Sequence, residues 1–186
     1  MSKIQSPAKI ACIQMRISYC RVEENLAEAD RLIEAACANG ATLLILPETF
    51  TTGSAFDTRA EAYAVAEAIP DGRTSQFLLK KAREHGVYIT GSFVERDGAD
   101  LYNTAVLAGP DGLVGKFRKL HPCEDEVYWA EPGNLGIPVF HTPIGRIALL
   151  ICLDAYYPEC FRICALQGAD IILSLIHISE PTRPLY

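Results

Sequence analysis

Residues 8–46 read AKIACIQMRISYCRVEENLAEADRLIEAACANGATLLIL, and this stretch decides the fold class. Ala8 to Arg16 is rich in Ile and small apolar side chains and reads as a mostly buried strand. Leu26, Ala29, Ile33 and Ala36 then recur at helical spacing with acidic residues between them, which predicts an amphipathic helix over 21–39. Gly40 stops it. Thr42 to Leu46 is a short apolar strand ended by Pro47. Strand, helix and strand in such quick succession point to an α/β sandwich.

The pattern continues outward. A polar loop over 48–58 leads to a short helix over 60–68, and Pro70-Asp71-Gly72 is a turn. Thr74 or Ser75 is the expected cap of a helix that turns Phe77, Leu78 and Ala82 inward and closes at Gly86. Strands are expected over 87–94 and 101–108, joined by Asp97-Gly98, and over 113–118 after the Pro110-Asp111-Gly112 hairpin signal. From Lys119 to Gly136 no periodicity survives, and a polar loop that long inside a compact domain is commonly functional. Strands over 137–141 and 147–152 flank a Pro143-Ile144-Gly145 turn. A helix starts at Pro158 and stops at Gly168, and 169–173 is a further buried strand. No internal repeat and no domain linker interrupts the chain.

Composition narrows the function. The 186 residues suit one domain, with 49% hydrophobic and 22% charged side chains. Seventeen Lys and Arg stand against 23 Asp and Glu, a net charge of −6 without a basic run, which weighs against nucleic acid as a partner. The apolar run 147–153 is too short to cross a bilayer. The N-terminus lacks a secretory pattern, so the expected compartment is the cytoplasm. Seven scattered cysteines fit free thiols in a reducing compartment. Zinc is the alternative for Cys160 and Cys164, which would share a helix face, but there is no CxxC pair and no clustered His.

Three reactive side chains stand at the ends of apolar strands, where open α/β sheets carry their sites. Glu48 ends Leu43-Leu44-Ile45-Leu46-Pro47-Glu48, Lys119 ends Gly115-Lys116-Phe117-Arg118-Lys119, and Cys152 ends Ile147-Ala148-Leu149-Leu150-Ile151-Cys152. Taken singly, each has a structural reading as a helix cap, a solvated edge or an inert buried thiol.

In combination the chain resembles the nitrilase superfamily of carbon–nitrogen hydrolases, from about residue 8 to residue 173. Ile45-Leu46-Pro47-Glu48, Gly115-Lys116-Phe117-Arg118-Lys119-Leu120-His121, and Ile151-Cys152-Leu153-Asp154 with Tyr157-Pro158-Glu159 and Arg162 are similar to the family's three motifs, in the family's order. The resemblance implies an α-β-β-α sandwich in which Glu48 is the general base, Lys119 the catalytic lysine and Cys152 the nucleophile. It implies a second glutamate at Glu126, with Glu124, Asp125 and Glu131 close by, and a backbone oxyanion donor at Leu153. Tyr102-Asn103-Thr104 and Pro132-Gly133-Asn134 also match the family. Asp154 and Arg162 are expected to brace the nucleophile turn through hydrogen bonds and an ion pair. The loops over 50–58 and 123–135 are expected to shape the pocket.

The reaction so implied is hydrolysis of a small linear amide or N-carbamoyl compound through a thioester, with no metal or organic cofactor. Leu153-Asp154 favours an amidase or carbamoylase over a nitrilase proper. A nitrilase, an acyltransferase on the same triad, and a silent binding or regulatory homologue are the alternatives. The full-length parent is expected to be a homo-oligomer. Leu173 to Arg183 reads as one frame of a transposase sequencing adapter. The expectation is therefore a partial hydrolase domain over 1–173, lacking C-terminal strands and helices, and a non-native tail over 174–186. Such a fragment is expected to be poorly soluble and inactive.

Overall fold

The computed structural model describes residues 8–176, apart from the Glu124 side chain. Helix α1, Val22–Ala38, ends at Asn39 and is followed by Gly40 at φ 78°, as its periodicity predicts. The strand before it is shorter than the apolar stretch 8–16. Only Ile10–Cys12 (β1) pairs, because β2 is itself confined to Leu43–Ile45. β3 (Tyr88–Asp97) runs parallel to β2, and β4 (Asp100–Gly109) and β5 (Gly112–Arg118) follow it as antiparallel hairpins. The resulting five-stranded sheet has the order β1-β2-β3-β4-β5.

The short helix is α2, Arg59–Val65, and α3 spans Arg73–His85, closed by Gly86 at φ 66°. The start of α3 differs from expectation. Gly72 occupies the cap position, and Thr74 and Ser75 are buried in the first turn. The Glu67 carboxylate, from the preceding segment, accepts from the Thr74 backbone N–H at 2.6 Å and from the Thr74 hydroxyl at 2.8 Å. A longer acidic side chain thus does from outside what a Ser or Thr cap does locally.

The second sheet holds β6 (Val139–Thr142), β7 (Gly145–Ile151) and β8 (Ile171–Leu175), with α4 (Pro158–Leu166) between β7 and β8. β8 begins two residues later than expected. Asp170 is engaged in the preceding turn, where its carboxylate accepts from the Arg146 N–H and guanidinium. The register Ile147↔Ile171 to Ile151↔Leu175 follows. Of the stretch 174–186 expected to be foreign, Ser174 and Leu175 complete β8, and residues 177–186 lie outside the described residues.

Alternation along the strands sorts the core into layers. Leu44, Ile89, Phe93 and Val106 pack with Leu26, Ala29 and Ile33 of α1 and Leu78 and Ala82 of α3. Leu43, Ala105, Leu107 and Phe117 point the other way and pack against Ile147–Ile151, Leu173 and Leu175 of the second sheet. Cys160 and Cys164 of α4 complete that second cluster as small buried hydrophobes. The layers are those of an α-β-β-α sandwich. Among the described residues no helix is long and apolar enough to cross a membrane.

The loop 119–136 contains one 3₁₀ turn, Glu124–Tyr128, and is anchored by Trp129. That indole is fully buried, meets the Phe56 ring edge-on at 5.3 Å and donates from Nε1 to the Ser54 carbonyl at 3.0 Å. The loop after β2 and the loop after β5 are thereby held together.

Candidate active site

Each strand end is prepared by its local backbone. After β2 the chain turns through Thr49 at φ 42°, whose N–H donates to Ser92 Oγ at 2.8 Å, so Glu48 is fixed against β3. After β7, Cys152 itself adopts φ 46° and opens a 3₁₀ turn to Tyr156. A non-glycine residue in that region costs of order 1 kcal/mol, and such positions concentrate at functional sites.

Lys119 is placed by its neighbours. Arg118 donates from Nε and Nη2 to the buried Glu95 carboxylate at 2.8 and 2.7 Å, from Nη1 to Asn134 Oδ1 at 2.8 Å, and lies 3.8 Å over the Tyr102 ring. The Gly133 N–H donates to the Lys119 carbonyl at 2.8 Å, and the Lys119 N–H to the Asn103 carbonyl at 2.9 Å. A Cβ at Gly133 would lie 2.2 Å from the Arg118 carbonyl oxygen, so only glycine permits this approach. The two short motifs at 102–104 and 132–134 are therefore the brackets of the lysine.

The side chains converge. Glu48, Lys119, Glu126, Cys152 and Leu153 line one cleft of about 510 Å³, together with Ser54, Ala55, Cys123, Asp125, Tyr156 and Ile176. Lys119 Nζ donates to Glu48 Oε1 at 2.8 Å, to Glu126 Oε2, and to Cys123 Sγ at 3.4 Å. Burial alone works against the ammonium, but the Glu48 and Glu126 charges outweigh it and hold the lysine pKa above its ordinary value. Burial, followed by the Glu48 charge, pushes the Cys152 thiol up to about 12, with Lys119 pulling the other way. At neutral pH the sulfur is therefore protonated.

Among the described acidic side chains of this loop, the one that meets Lys119 is Glu126. Asp125 is exposed at the cleft, and Glu131 pairs with Arg59 at 3.3 Å. The expected Asp154–Arg162 ion pair does not form. Asp154 accepts from the His121 N–H at 3.0 Å, from His121 Nδ1 at 2.7 Å and from the Ile151 N–H at 3.2 Å, while Arg162 is exposed. His121 lies across the turn on the lysine loop and stacks on Tyr157 at 3.9 Å, so it reaches Asp154 first. Sequence reading gave Asn103 no role and left Cys123 aside. The available signal for Asn103 was a polar residue in the inward row with Ala105 and Leu107. Among the described residues no group of three or more His, Cys, Asp or Glu is arranged to hold a metal ion.

A sequence profile of the family described as Carbon-nitrogen hydrolase matches residues 9–185. The chain belongs to the carbon–nitrogen hydrolase family. The chain is 42% identical to a protein named Nitrilase from Pyrococcus abyssi, over 95% of the chain and 67% of that relative. It is 35% identical to N-carbamoylputrescine amidase from Solanum lycopersicum, over 86% of the chain and 56% of the relative. In three dimensions it is similar to a mutant amidase from Nesterenkonia sp. AN1, with a TM-score of 0.79 and 25% identity, covering 90% of the chain and 66% of that structure. That structure shows the product of Michael addition of acrylamide at its active site cysteine. The chain thus spans two thirds or less of several relatives' lengths.

Proposed function

We propose that the full-length parent of this chain hydrolyses a non-peptide C–N bond in a small linear amide or N-carbamoyl compound, using Glu48, Lys119 and Cys152 as a catalytic triad. The observation that carries the reading is Lys119 held charged between Glu48 and Glu126 in the cleft that the Cys152 thiol enters. A thiol with a raised pKa is a poor nucleophile until a base removes its proton, and the Glu48 carboxylate is beside it.

In this reading Glu48 takes the Sγ proton as sulfur attacks the carbonyl carbon, and the π pair moves to oxygen. Lys119 Nζ and the Leu153 N–H hold that oxyanion. Collapse breaks the C–N bond, and the leaving amine takes the proton from Glu48. Glu48 then deprotonates a water that attacks the thioester, the C–S bond breaks, and sulfur recovers its proton. No step requires a metal or an organic cofactor. The partner is a small molecule, the expected setting is the cytoplasm, and the full-length parent is expected to be a homo-oligomer.

The test is turnover of a panel of linear amides and N-carbamoyl compounds by the full-length wild type and by its Cys152→Ala variant, with mass spectrometry of the Cys152 peptide. The wild type releases amine and carries a transient acyl adduct, and the variant does neither. Equal turnover by both removes Cys152 as the nucleophile. A second reading, nitrile hydrolysis, has support in the 42% identical relative named Nitrilase. Faster release of ammonia from nitriles than from amides in the same panel would favour it.

A further inference from the structure

Asn103 is 1% exposed and lies on β4 in the row that carries Ala105 and Leu107 into the core between the sheets. Its Nδ2 donates to Glu48 Oε1 at 2.8 Å and to Glu126 Oε1 at 2.6 Å, so both hydrogens of the amide are committed, one to each carboxylate. Its backbone carbonyl accepts from the Lys119 N–H. One residue therefore contacts every member of the buried charge cluster. Its Oδ1 has no hydrogen-bond partner among the described residues, a cost that packing alone does not explain at a position flanked by apolar neighbours.

We propose that Asn103 is a positioning residue that bridges Glu48 and Glu126 and so fixes both carboxylates around Lys119. The physical need is specific. Two anions that share one cation repel each other, and each must keep an oxygen on Nζ for the ammonium to hold its direction. A second cation between them would compete with Lys119 for the carboxylates. A neutral donor to both holds their separation without adding charge. With two Lys119 donors aimed at the glutamates, the third points to Cys123 Sγ, a weak acceptor that a substrate oxygen can displace. The inference rests on the reading of Glu48 as the base that receives the Cys152 proton.

The titratable groups that line the cleft with Glu48 are Lys119, Glu126, Asp125, Cys123, Cys152 and Tyr156. Asn103→Asp keeps the shape, removes both donors and adds a third carboxylate. Asn103→Ser keeps one donor on a shorter arm. Both raise the proton affinity of Glu48, so any reaction that needs its carboxylate shifts its acidic limb to higher pH, further for Asn103→Asp. The experiment follows iodoacetamide alkylation of Cys152 against pH by peptide mass spectrometry, alongside amide hydrolysis and thermal melting. We expect the acidic limb of alkylation to move up in both variants and hydrolysis to fall about 10- to 100-fold, the range for a lost hydrogen bond to a charged group. A folded variant with the wild-type acidic limb overturns the proposal, and if Asn103→Asp does not fold, Asn103→Ser decides. A merely structural role lowers the folded fraction without moving the limb. If the wild type hydrolyses no amide yet the alkylation limb moves, the positioning role stands and the hydrolase reading fails.

Discussion

Lys119 Nζ lies 2.8 Å from Glu48 Oε1, with each side chain only 1% exposed, and Glu126 closes the cation from the other side. Such a cluster is stable only while its charges balance. Lys119→Met leaves two buried carboxylates without a cation, and we expect a loss of about 3–5 kcal/mol near neutral pH. The sign with pH is definite. Burial and mutual repulsion raise the pair's proton affinity above that of free glutamate, so the variant is least impaired in acid and loses stability as pH rises. Urea unfolding at pH 5 and pH 8 measures this, and a loss that does not grow between them contradicts it.

Glu48→Gln separates the thiol's two controls. Glu48 contributes to holding the Cys152 pKa up, so removing its charge lowers the thiol pKa from about 12. The same change deletes the base. Thiolate absorbance should therefore appear at lower pH than in the wild type, while turnover falls by ~10²–10⁴. A variant whose thiol titrates higher than the wild type's would show that Glu48 does not set the sulfur's environment.

Gly133→Ala tests the bracket around Lys119. The new methyl group would meet the Arg118 backbone carbonyl at 2.2 Å, so the lysine segment must shift. Overpacking of this kind costs about 1–3 kcal/mol. Because the displaced residue adjoins Lys119, turnover should fall by more than the lost stability accounts for. Wild-type turnover in a folded Gly133→Ala protein would separate the 132–134 motif from the site.

Asp154→Asn addresses the nucleophile turn. The carboxylate accepts three hydrogen bonds, two of them from His121 and one from the Ile151 N–H. An amide offers one acceptor oxygen and turns an NH₂ toward donors, at a cost of about 1.5–3 kcal/mol. For a chain of this size that lowers the melting temperature by about 4–10 °C. An unchanged melting temperature would mean that His121 and Ile151 find other partners.

Helix α1 and the β3–β4–β5 hairpins were legible because their signals are local: period-3.6 apolar spacing, Asp97-Gly98 and Pro110-Asp111-Gly112. Where a contact came from a distant segment, local reading failed. Glu67 capped α3 in place of Thr74 or Ser75, and Asp170 delayed β8 by pairing with Arg146.

The site divides along the same line. By itself the sequence determined that Glu48 and Cys152 stand at the ends of apolar strands and Lys119 at the end of the strand that follows the Pro110-Asp111-Gly112 turn, because each strand and its interruption lie within a few positions of one another. Only the tertiary structure decided that these ends meet in one cleft, and that Glu126 takes the lysine while Asp125 and Glu131 do not. Only there does Asp154 find His121 instead of Arg162, and Asn103 bridge two glutamates separated from it by 55 and 23 positions. The reason is physical: strand ends are specified by neighbouring residues, whereas the pairing of buried charges depends on which loops the sheets bring within hydrogen-bonding distance.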